Sequence, residues 1–251
     1  MQHEANKTDF LILLLAKTIS MAQVFTIKRL TMEKIIEYLK RLRENNNREW
    51  FQENKKTYEI VRREFTEEIQ GLIDRFQFAY PALADLKASD AMFRIYRDIR
   101  FSNDKTPYKP HFSAFLARGG RKSREAGYYI HIDPEGSFYG SGVYSPEKEE
   151  LLAIRQEIIY APEKFIQLVE KGEKDGFQLI DEDKLKMAPK GFPKDSPHID
   201  LVKYKHYFLT APIPPEALKN GNFQDILTAR MELLLPFNEY LNMALELKGN
   251  E

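Results

Sequence analysis

Apolar residues recur every three or four positions through the first third of the chain beyond Thr31, which is the spacing of helices that bury one face. The spacing predicts a first helix capped by Thr31 and, after a turn rich in asparagine, a long second helix that ends before Pro81. Asn46, with Glu49 three residues later, fits a capping box at the start of the second helix. The stripe of this helix, predicted to pack on the first helix and on a sheet, comprises Phe51, Asn54, Tyr58, Val61, Phe65, Ile69, Leu72 and Phe76.

Beyond a loop at 84–90 the periodicity changes from helical to alternating, as expected of extended strands. The alternation predicts a strand with two faces, formed by Phe93, Ile95, Arg97, Ile99 and Phe101 on one side and by Arg94, Tyr96, Asp98 and Arg100 on the other. A turn at 102–106 follows, and then three further strands, His111 to Ala117, Tyr128 to Asp133 and Ser137 to Val143. The connections between these three are short, so we expect them to pair as antiparallel neighbours.

The second half of the chain mixes helical and extended patterns. Its predicted elements, in chain order, are helices that begin at Pro146 and Pro162, a polar loop at 172–176, a short strand over 177–180, a last strand over 204–211, and a C-terminal helix with Asn222 as N-cap and a break at Pro236. Together the elements predict an α+β fold, in which a mainly antiparallel sheet of about five strands is covered by the N-terminal and C-terminal helices.

Residues 1–31 are predicted to be an N-terminal extension of a single domain that spans 32–247. The segment from Phe10 to Ala16 is the part most like a targeting signal, but it is too short to span a bilayer. Acidic residues precede it, where a secretory signal would be basic. We therefore expect no membrane span here, and either an appendage or a natural start at Met32.

The 38 basic and 38 acidic side chains cancel, so no global field favours nucleic acid or an acidic membrane. The segment 94–125 nevertheless has nine Lys or Arg and three acids, a local excess of six positive charges. The absence of cysteine removes disulfides, thiolate metal sites and a cysteine nucleophile, and it fits a cytoplasmic location. The P-loop, GxGxxG, GxSxG and HExxH patterns are also missing, which excludes the easily recognised nucleotide-binding and hydrolase classes.

The basic stretch 92–109 contains the first candidate site, because several guanidinium forks and ammonium groups can converge on one anion. An alternative is a structural ion-pair network in which Arg97, Asp98 and Arg100 tie the strand to the long helix. The two faces of the predicted strand make Arg97 the better structural member, and Arg94 with Arg100 the better ligand contacts. The candidate ligand-binding residues are Arg94, Arg97, Arg100, Lys105, Tyr108 and, from a later helix, Arg155, and Asp98 is the candidate to orient an arginine or accept a proton.

The predicted hairpin contains the second candidate site. Tyr129, His131 and Asp133 alternate onto one face of their strand, and a histidine beside a carboxylate is the usual arrangement for a general base. His131 is therefore a candidate catalytic residue, and the alternative is a sheet histidine with ordinary hydrogen bonds. The five histidines show no metal-ligand spacing, so no metal site is predicted, and one could be assembled only from distant segments.

With these residues in view, the chain resembles the bacterial family known as domain of unknown function 2461. The resemblance covers roughly Met32 to Leu247. It depends on four motifs: NNxxWF from Asn46, RxxRDxRFxxDKxPY from Arg94, LxxIRxxI from Leu151 and LKxAPxGF from Leu185. The chain departs from the family pattern at Lys190, where an arginine is common, and in residues 1–31, which have no counterpart. The resemblance implies no activity.

The expected function is that of a cytoplasmic protein that binds a phosphate-bearing or otherwise anionic small ligand through the basic motif. The alternative is a non-catalytic interaction module that uses the basic loops, on nucleic acid or on another partner. A concave pocket that collects motif residues from separate segments would favour the small ligand. Whether the protein is an enzyme, and which cofactor or oligomeric state it has, stays open at this point.

Overall fold

The computed structural model describes residues 32–219 and 221–247. Its helices are α1 (32–44), α2 (Arg48–Glu53), α3 (Lys55–Phe76), α4 (Ala88–Ala91), α5 (Lys148–Tyr160), α6 (Pro162–Lys174), α7 (Pro215–Lys219), α8 (Phe223–Leu233) and α9 (Leu235–Leu247). Short 3-10 turns lie at Pro81–Leu83, Gly120–Lys122 and Ile199–Val202.

A single five-stranded sheet lies at the centre of the described part. Its strands are β1 (Phe112–Leu116), β2 (Gly127–Ile132), β3 (Phe138–Val143), β4 (Gln178–Leu179) and β5 (Tyr207–Pro212). The spatial order is β1-β2-β3-β5-β4, and each neighbouring pair is antiparallel. The predicted α+β fold with an antiparallel sheet of about five strands is therefore confirmed.

Among the described residues, the helices cover one face of this sheet, and the other face is open. Tyr128, Ile130 and Ile132 of β2 point into the core and are almost fully buried, because successive side chains of a strand alternate between faces. Tyr129 and His131 point the other way and are only partly buried. Aromatic stacking joins the helical layer to the sheet, with Phe65 of α3 lying 5.3 Å from Phe112 of β1 between ring centroids.

The predicted strand over 93–101 is wrong as a regular strand. The segment is extended, but it pairs only through isolated bridges, Met92 with Ala114 and Tyr96 with Tyr108. Between the bridges one arm has three residues and the other has five, so the ladder loses its register. Pro110 lies in the longer arm and has no amide hydrogen to contribute. The result is an irregular hairpin, residues 92–109, which we call the motif hairpin and which continues into the edge strand β1.

The predicted capping box at Asn46 is also wrong. The N-cap of α2 is Asn47, whose side chain accepts a hydrogen bond from the amide of Trp50. Asn46 instead holds the backbone of Tyr108: its Nδ2 donates to the carbonyl at 2.9 Å, and its Oδ1 accepts from the amide at 3.1 Å. The long helix is divided at Asn54 into α2 and α3.

Three smaller predictions have different outcomes. Gly172 belongs to the last turn of α6 and not to a loop. Asn222 is at the N-cap position of α8 but its side chain makes no capping bond. The break at Pro236 is confirmed, since α8 ends at Leu233 and the proline lies in the first turn of α9, where its missing amide costs little. The predicted cap at Thr31 and the predicted extension lie outside the described residues. In the described ranges no helix is both long and apolar enough to cross a bilayer.

Candidate functional site

A broad groove lies on the open face of the sheet in the described part of the chain. Its cavity has a volume of about 900 Å³. The floor is made by the groove-facing side chains of the strands, and the walls come from the motif hairpin, the loop between β1 and β2, and the segments that follow β3 and β4. The lining residues used below are Phe93, His111, Phe115, Tyr129, His131, Phe138, Phe208 and Thr210.

Glycine in β3 lets an aromatic ring lie across this floor. A Cβ atom at Gly140 would come within 2.3 Å of the ring of Phe208. Gly140 faces Tyr129 of β2 in the register of the sheet. The centre of the floor therefore has no side chain at Gly140 that projects into the groove, and it is apolar. The polar groups of the floor lie toward β1 and β2.

His111 and His131 lie side by side at the β1–β2 end of the groove. His111 immediately precedes β1, and the antiparallel register brings it next to the end of β2, so the ring centroids are 4.2 Å apart. The Nε2 atom of His131 lies 3.7 Å from Oδ2 of Asp133, and ligand atoms of all three side chains lie within 4.8 Å of one another. Two imidazoles and one carboxylate at this spacing could hold a divalent metal ion.

Further polar groups surround this cluster, which we call the histidine cluster (His111, His131 and Asp133). The hydroxyl of Tyr129 and Nδ1 of His131 are in hydrogen-bond contact at 3.1 Å. Nη2 of Arg43, from the end of α1, donates to both carboxylate oxygens of Asp133 at 2.8 Å, and the same guanidinium pairs with Glu135. Asp133 is therefore an oriented and charge-compensated carboxylate.

The imidazoles of the cluster are held in their neutral form. Burial, with His131 and Lys109 as smaller causes, lowers the pKa of His111 to about 4. Burial also lowers the pKa of His131, against the opposing effect of Asp133. Neutral imidazole can accept a proton or bind a metal ion, so both kinds of chemistry are open to these groups at pH 7.

Lys109, at the end of the motif hairpin, stands beside this end of the groove. Its ammonium lies 5.8 Å from the ring centre of Phe93, and Phe93 in turn contacts Tyr129 across 6.1 Å between ring centroids. Burial, followed by Arg94 and Arg97, lowers the pKa of Lys109. Among the described residues its side chain has no carboxylate partner.

Two of the other four motif cations, Arg97 and Arg100, are paired with carboxylates of the hairpin. Arg97 pairs with Asp104 and donates to the hydroxyl of Thr106 at 2.9 Å. Arg100 makes two hydrogen bonds to Asp98, at 2.9 and 2.6 Å. These contacts correspond to a structural ion-pair network, but one that closes the hairpin on itself and makes no ion pair to α3.

The pairing decides what Asp98 can do chemically. The Arg100 guanidinium holds the pKa of Asp98 well below its ordinary range, and the carboxylate lies at the exposed surface. Such a carboxylate is a weak base. Asp98 is also not among the residues that line the groove, whereas His131 is.

The remaining predicted ligand contacts are dispersed. Arg94 is exposed and makes no side-chain hydrogen bond or ion pair to the described residues, while Lys105 donates to the carbonyl of Ile99 at 2.9 Å. Tyr108 is buried and stacks on Phe51 at 3.9 Å between ring centroids. Arg155 lies away from the hairpin. It is buried, and it donates to the carbonyl of Tyr204 at 2.9 Å, which ties α5 to the segment before β5.

A smaller pocket of about 360 Å³ lies beside the motif hairpin and includes Arg48, Gln52, Tyr96 and Arg97 in its lining. Because Arg97 is engaged by Asp104, the guanidinium in this pocket that has no partner among the described residues is that of Arg48. It brings residues of α2 and of the motif hairpin together, but it lacks the titratable groups of the groove.

The sequence matches a model of one protein family over most of its length. A family model described as "Conserved hypothetical protein (DUF2461)" matches residues 34–240. The chain belongs to this family. The match covers α3, the motif hairpin, the five strands and the groove in one stretch. No curated protein and no solved structure matches the chain.

Two residues at this end of the groove, His111 in its lining and Lys109 beside it, are not among the ligand contacts predicted from the sequence of this member of the DUF2461 family. Lys109 lies in the basic stretch 92–109 that contains the first candidate site. His111 is twenty residues from His131, which is not a metal-ligand spacing. The usable signal was the antiparallel pairing of β1 and β2, which places the start of one strand beside the end of the other.

Proposed function

We propose that this protein binds a small organic anion in the open-face groove, with the anionic group beside Lys109 and the histidine cluster and the apolar part along the aromatic floor. The observation that supports this most is the half-buried ammonium of Lys109, which lies next to a cavity of about 900 Å³ and has no carboxylate partner among the described residues. A desolvated, uncompensated charge is costly, and an anion would offset that cost.

The surroundings of Lys109 carry positive charge that a bound anion would offset. Arg94 is close enough to lower the pKa of Lys109 and is itself unpaired in the described chain. Arg43 adds positive charge from the other side, although it is already paired with Asp133 and Glu135. Neutral His111 can donate a hydrogen bond to the same group.

The shape of the groove indicates that the ligand has an apolar part as well. Phe93, Phe115, Phe138 and Phe208 contribute rings to its lining, which is typical of sites that bury most of a small ligand and orient it through a few polar groups. In this proposal Arg97 and Arg100 act by closing the motif hairpin that positions Phe93. Arg94 and Lys109 are the motif cations that meet the ligand.

If the bound anion is also a substrate, His131 is the proton-transfer residue we propose. It faces the groove and is neutral at pH 7, and Tyr129 orients it through its Nδ1 atom. Asp98 is better described as the partner of Arg100.

Thermal-shift measurements with a panel of aromatic carboxylates, sugar phosphates, nucleotides and oligonucleotides test the proposal. A ligand at 100 times its Kd stabilises the folded state by about 2.7 kcal/mol, which raises Tm by roughly 5–10 °C in a chain of this size. We expect such a shift with at least one small anion. We expect Lys109→Met to lower the affinity for that anion at least tenfold.

The matched control is Lys105→Met, which removes an exposed lysine of the same hairpin. If Lys105→Met abolishes the shift and Lys109→Met does not, the anion binds the loop of the hairpin and the groove proposal is wrong. A response confined to oligonucleotides, with a steep dependence on salt, would support the nucleic-acid alternative instead. No response to any of the anions also contradicts the proposal.

A further inference from the structure

We propose that His111, His131 and Asp133 form a binding site for one divalent transition-metal ion, with its open coordination positions facing the groove. Sequence spacing alone did not indicate this site, since the two histidines belong to different strands. The proposal does not depend on the organic anion, because the metal ion can be added by itself.

The spacing of the three side chains is compatible with a metal site. Nε2 of His131 and Oδ2 of Asp133 are 3.7 Å apart, which is too long for a hydrogen bond. Ligand atoms around a tetrahedral zinc ion lie about 3.4 Å from one another, given metal–ligand bonds of about 2.1 Å. The ligand atoms of all three residues lie within 4.8 Å of one another, so metal binding would require the side chains to move closer by about 1 Å.

Tyr129 and Arg43 supply the outer contacts that metal ligands usually have. The hydroxyl of Tyr129 can accept a hydrogen bond from Nδ1 of His131 at 3.1 Å, which leaves the Nε2 lone pair directed toward Asp133. Arg43 orients the carboxylate through two hydrogen bonds of 2.8 Å. The ring of Phe138 stacks on His131 at 4.7 Å between centroids and keeps the imidazole in its plane.

The choice of metal follows from the donor set. Two imidazoles and a carboxylate suit Zn²⁺, Fe²⁺, Co²⁺ or Ni²⁺ more than Mg²⁺ or Ca²⁺, which prefer oxygen ligands. Three protein ligands leave positions for water or a ligand oxygen, as in catalytic sites. The guanidinium of Arg43 and the ammonium of Lys109 add positive charge near the ion, so a bound anion would strengthen metal binding by offsetting it.

Titration of the metal-free protein with Co²⁺, followed by visible absorption and by metal analysis of the desalted protein, tests the site. We expect one Co²⁺ per chain, displaced by Zn²⁺, and ligand-field bands without thiolate charge transfer because the chain has no cysteine. His131→Gln and Asp133→Asn should each lower the affinity at least tenfold. Tyr129→Phe should lower it by about tenfold as well, because an outer contact is lost.

The matched control is His198→Gln, which changes a half-buried histidine outside the cluster and should leave the affinity unchanged. Circular dichroism shows whether each variant is folded, and if His131→Gln is not, His111→Gln gives the same test from the other strand. Absence of stoichiometric binding, or equal affinity in the wild type and the folded cluster variants, overturns the proposal. Neither result bears on Lys109 and the organic anion.

Discussion

Replacing Asn46 by alanine should destabilise this protein far more than replacing its neighbour Asn45. Asn46 makes two hydrogen bonds, of 2.9 and 3.1 Å, to the backbone of Tyr108, and Tyr108 is only 3% exposed. The side chain therefore connects the end of α1 to the motif hairpin. The alanine variant leaves a carbonyl and an amide of the buried backbone without their partner.

The size of the effect follows from those two bonds. A hydrogen bond contributes about 0.5–1.5 kcal/mol net, and each buried group left unpaired costs about 1–3 kcal/mol. Because water can reach part of the vacated space, we expect a loss of about 2–3 kcal/mol in the free energy of unfolding. In a chain of this length that loss lowers Tm by roughly 5–10 °C.

Urea denaturation gives the measurement, with far-UV circular dichroism and the fluorescence of Trp50 as two probes. Trp50 is the single tryptophan of the chain and packs against Tyr38 of α1, so it reports on the region next to the substitution. Asn45→Ala is the matched control, because its side chain donates only to the carbonyl of Arg41 in an exposed position. We expect that control to cost less than about 0.5 kcal/mol.

Equal losses in the two variants would refute the reasoning. In that case the stacking of Phe51 on Tyr108, and not Asn46, would hold the motif hairpin to the helices. A change in the urea m-value without a change in midpoint would instead indicate that the unfolded state is altered. That result would also contradict the role of Asn46 in connecting α1 to the motif hairpin.

Three further substitutions test other parts of the structure. Gly142→Ala should lower the free energy of unfolding by about 2–3 kcal/mol, because φ is +129° and the new Cβ would lie 2.1 Å from a backbone oxygen of β5. Gly136 has open space around it, so Gly136→Ala should cost little in the same urea titration. Arg97→Ala should lower the free energy of unfolding by about 1 kcal/mol, because the ion pair to Asp104 and the contact with the Thr106 hydroxyl are lost. Arg94 has no ion pair among the described residues, so Arg94→Ala should change it by less than about 0.5 kcal/mol. Equal losses would contradict the structural role of Arg97. Burial lowers the pKa of His206, so the wild-type protein should lose stability as pH falls below about 6.5, the ordinary histidine pKa, and through the lower folded-state pKa. His206→Gln, compared at pH 7.5 and pH 5, should lack that loss.

The secondary structure was largely predictable because its signals are local. Helical stripes and strand alternation mark α3, α5, α6 and the β2–β3 hairpin directly in the order of the residues. Proline at 162 and at 236 marks helix boundaries for a reason that needs no tertiary information, since its ring fixes φ and removes a donor. The same local signals misplaced the cap of α2, because Asn46 and Asn47 are equally good cap residues until a tertiary partner for one of them is known.

The candidate site was predictable only in part. The motif marked the segment that borders the groove, and the hairpin marked Tyr129, His131 and Asp133 as one face of a strand. The two faces of the predicted strand favoured Arg97 as a structural residue, which agrees with its ion pair to Asp104. They also favoured Arg100 as a ligand contact, whereas the structure pairs Arg100 with Asp98.

By itself, the sequence determined the class of fold, the antiparallel order of β1 to β3, the family, and the stretch of chain that borders the site. Only the tertiary structure decided which groups meet, above all the approach of His111 to His131 and of Lys109 to the aromatic groove. The physical reason is register. The loop between β1 and β2 leaves their alignment open, and a shift of one residue would turn His111 to the opposite face. Burial against the helices selects one register, and that register assembles the site.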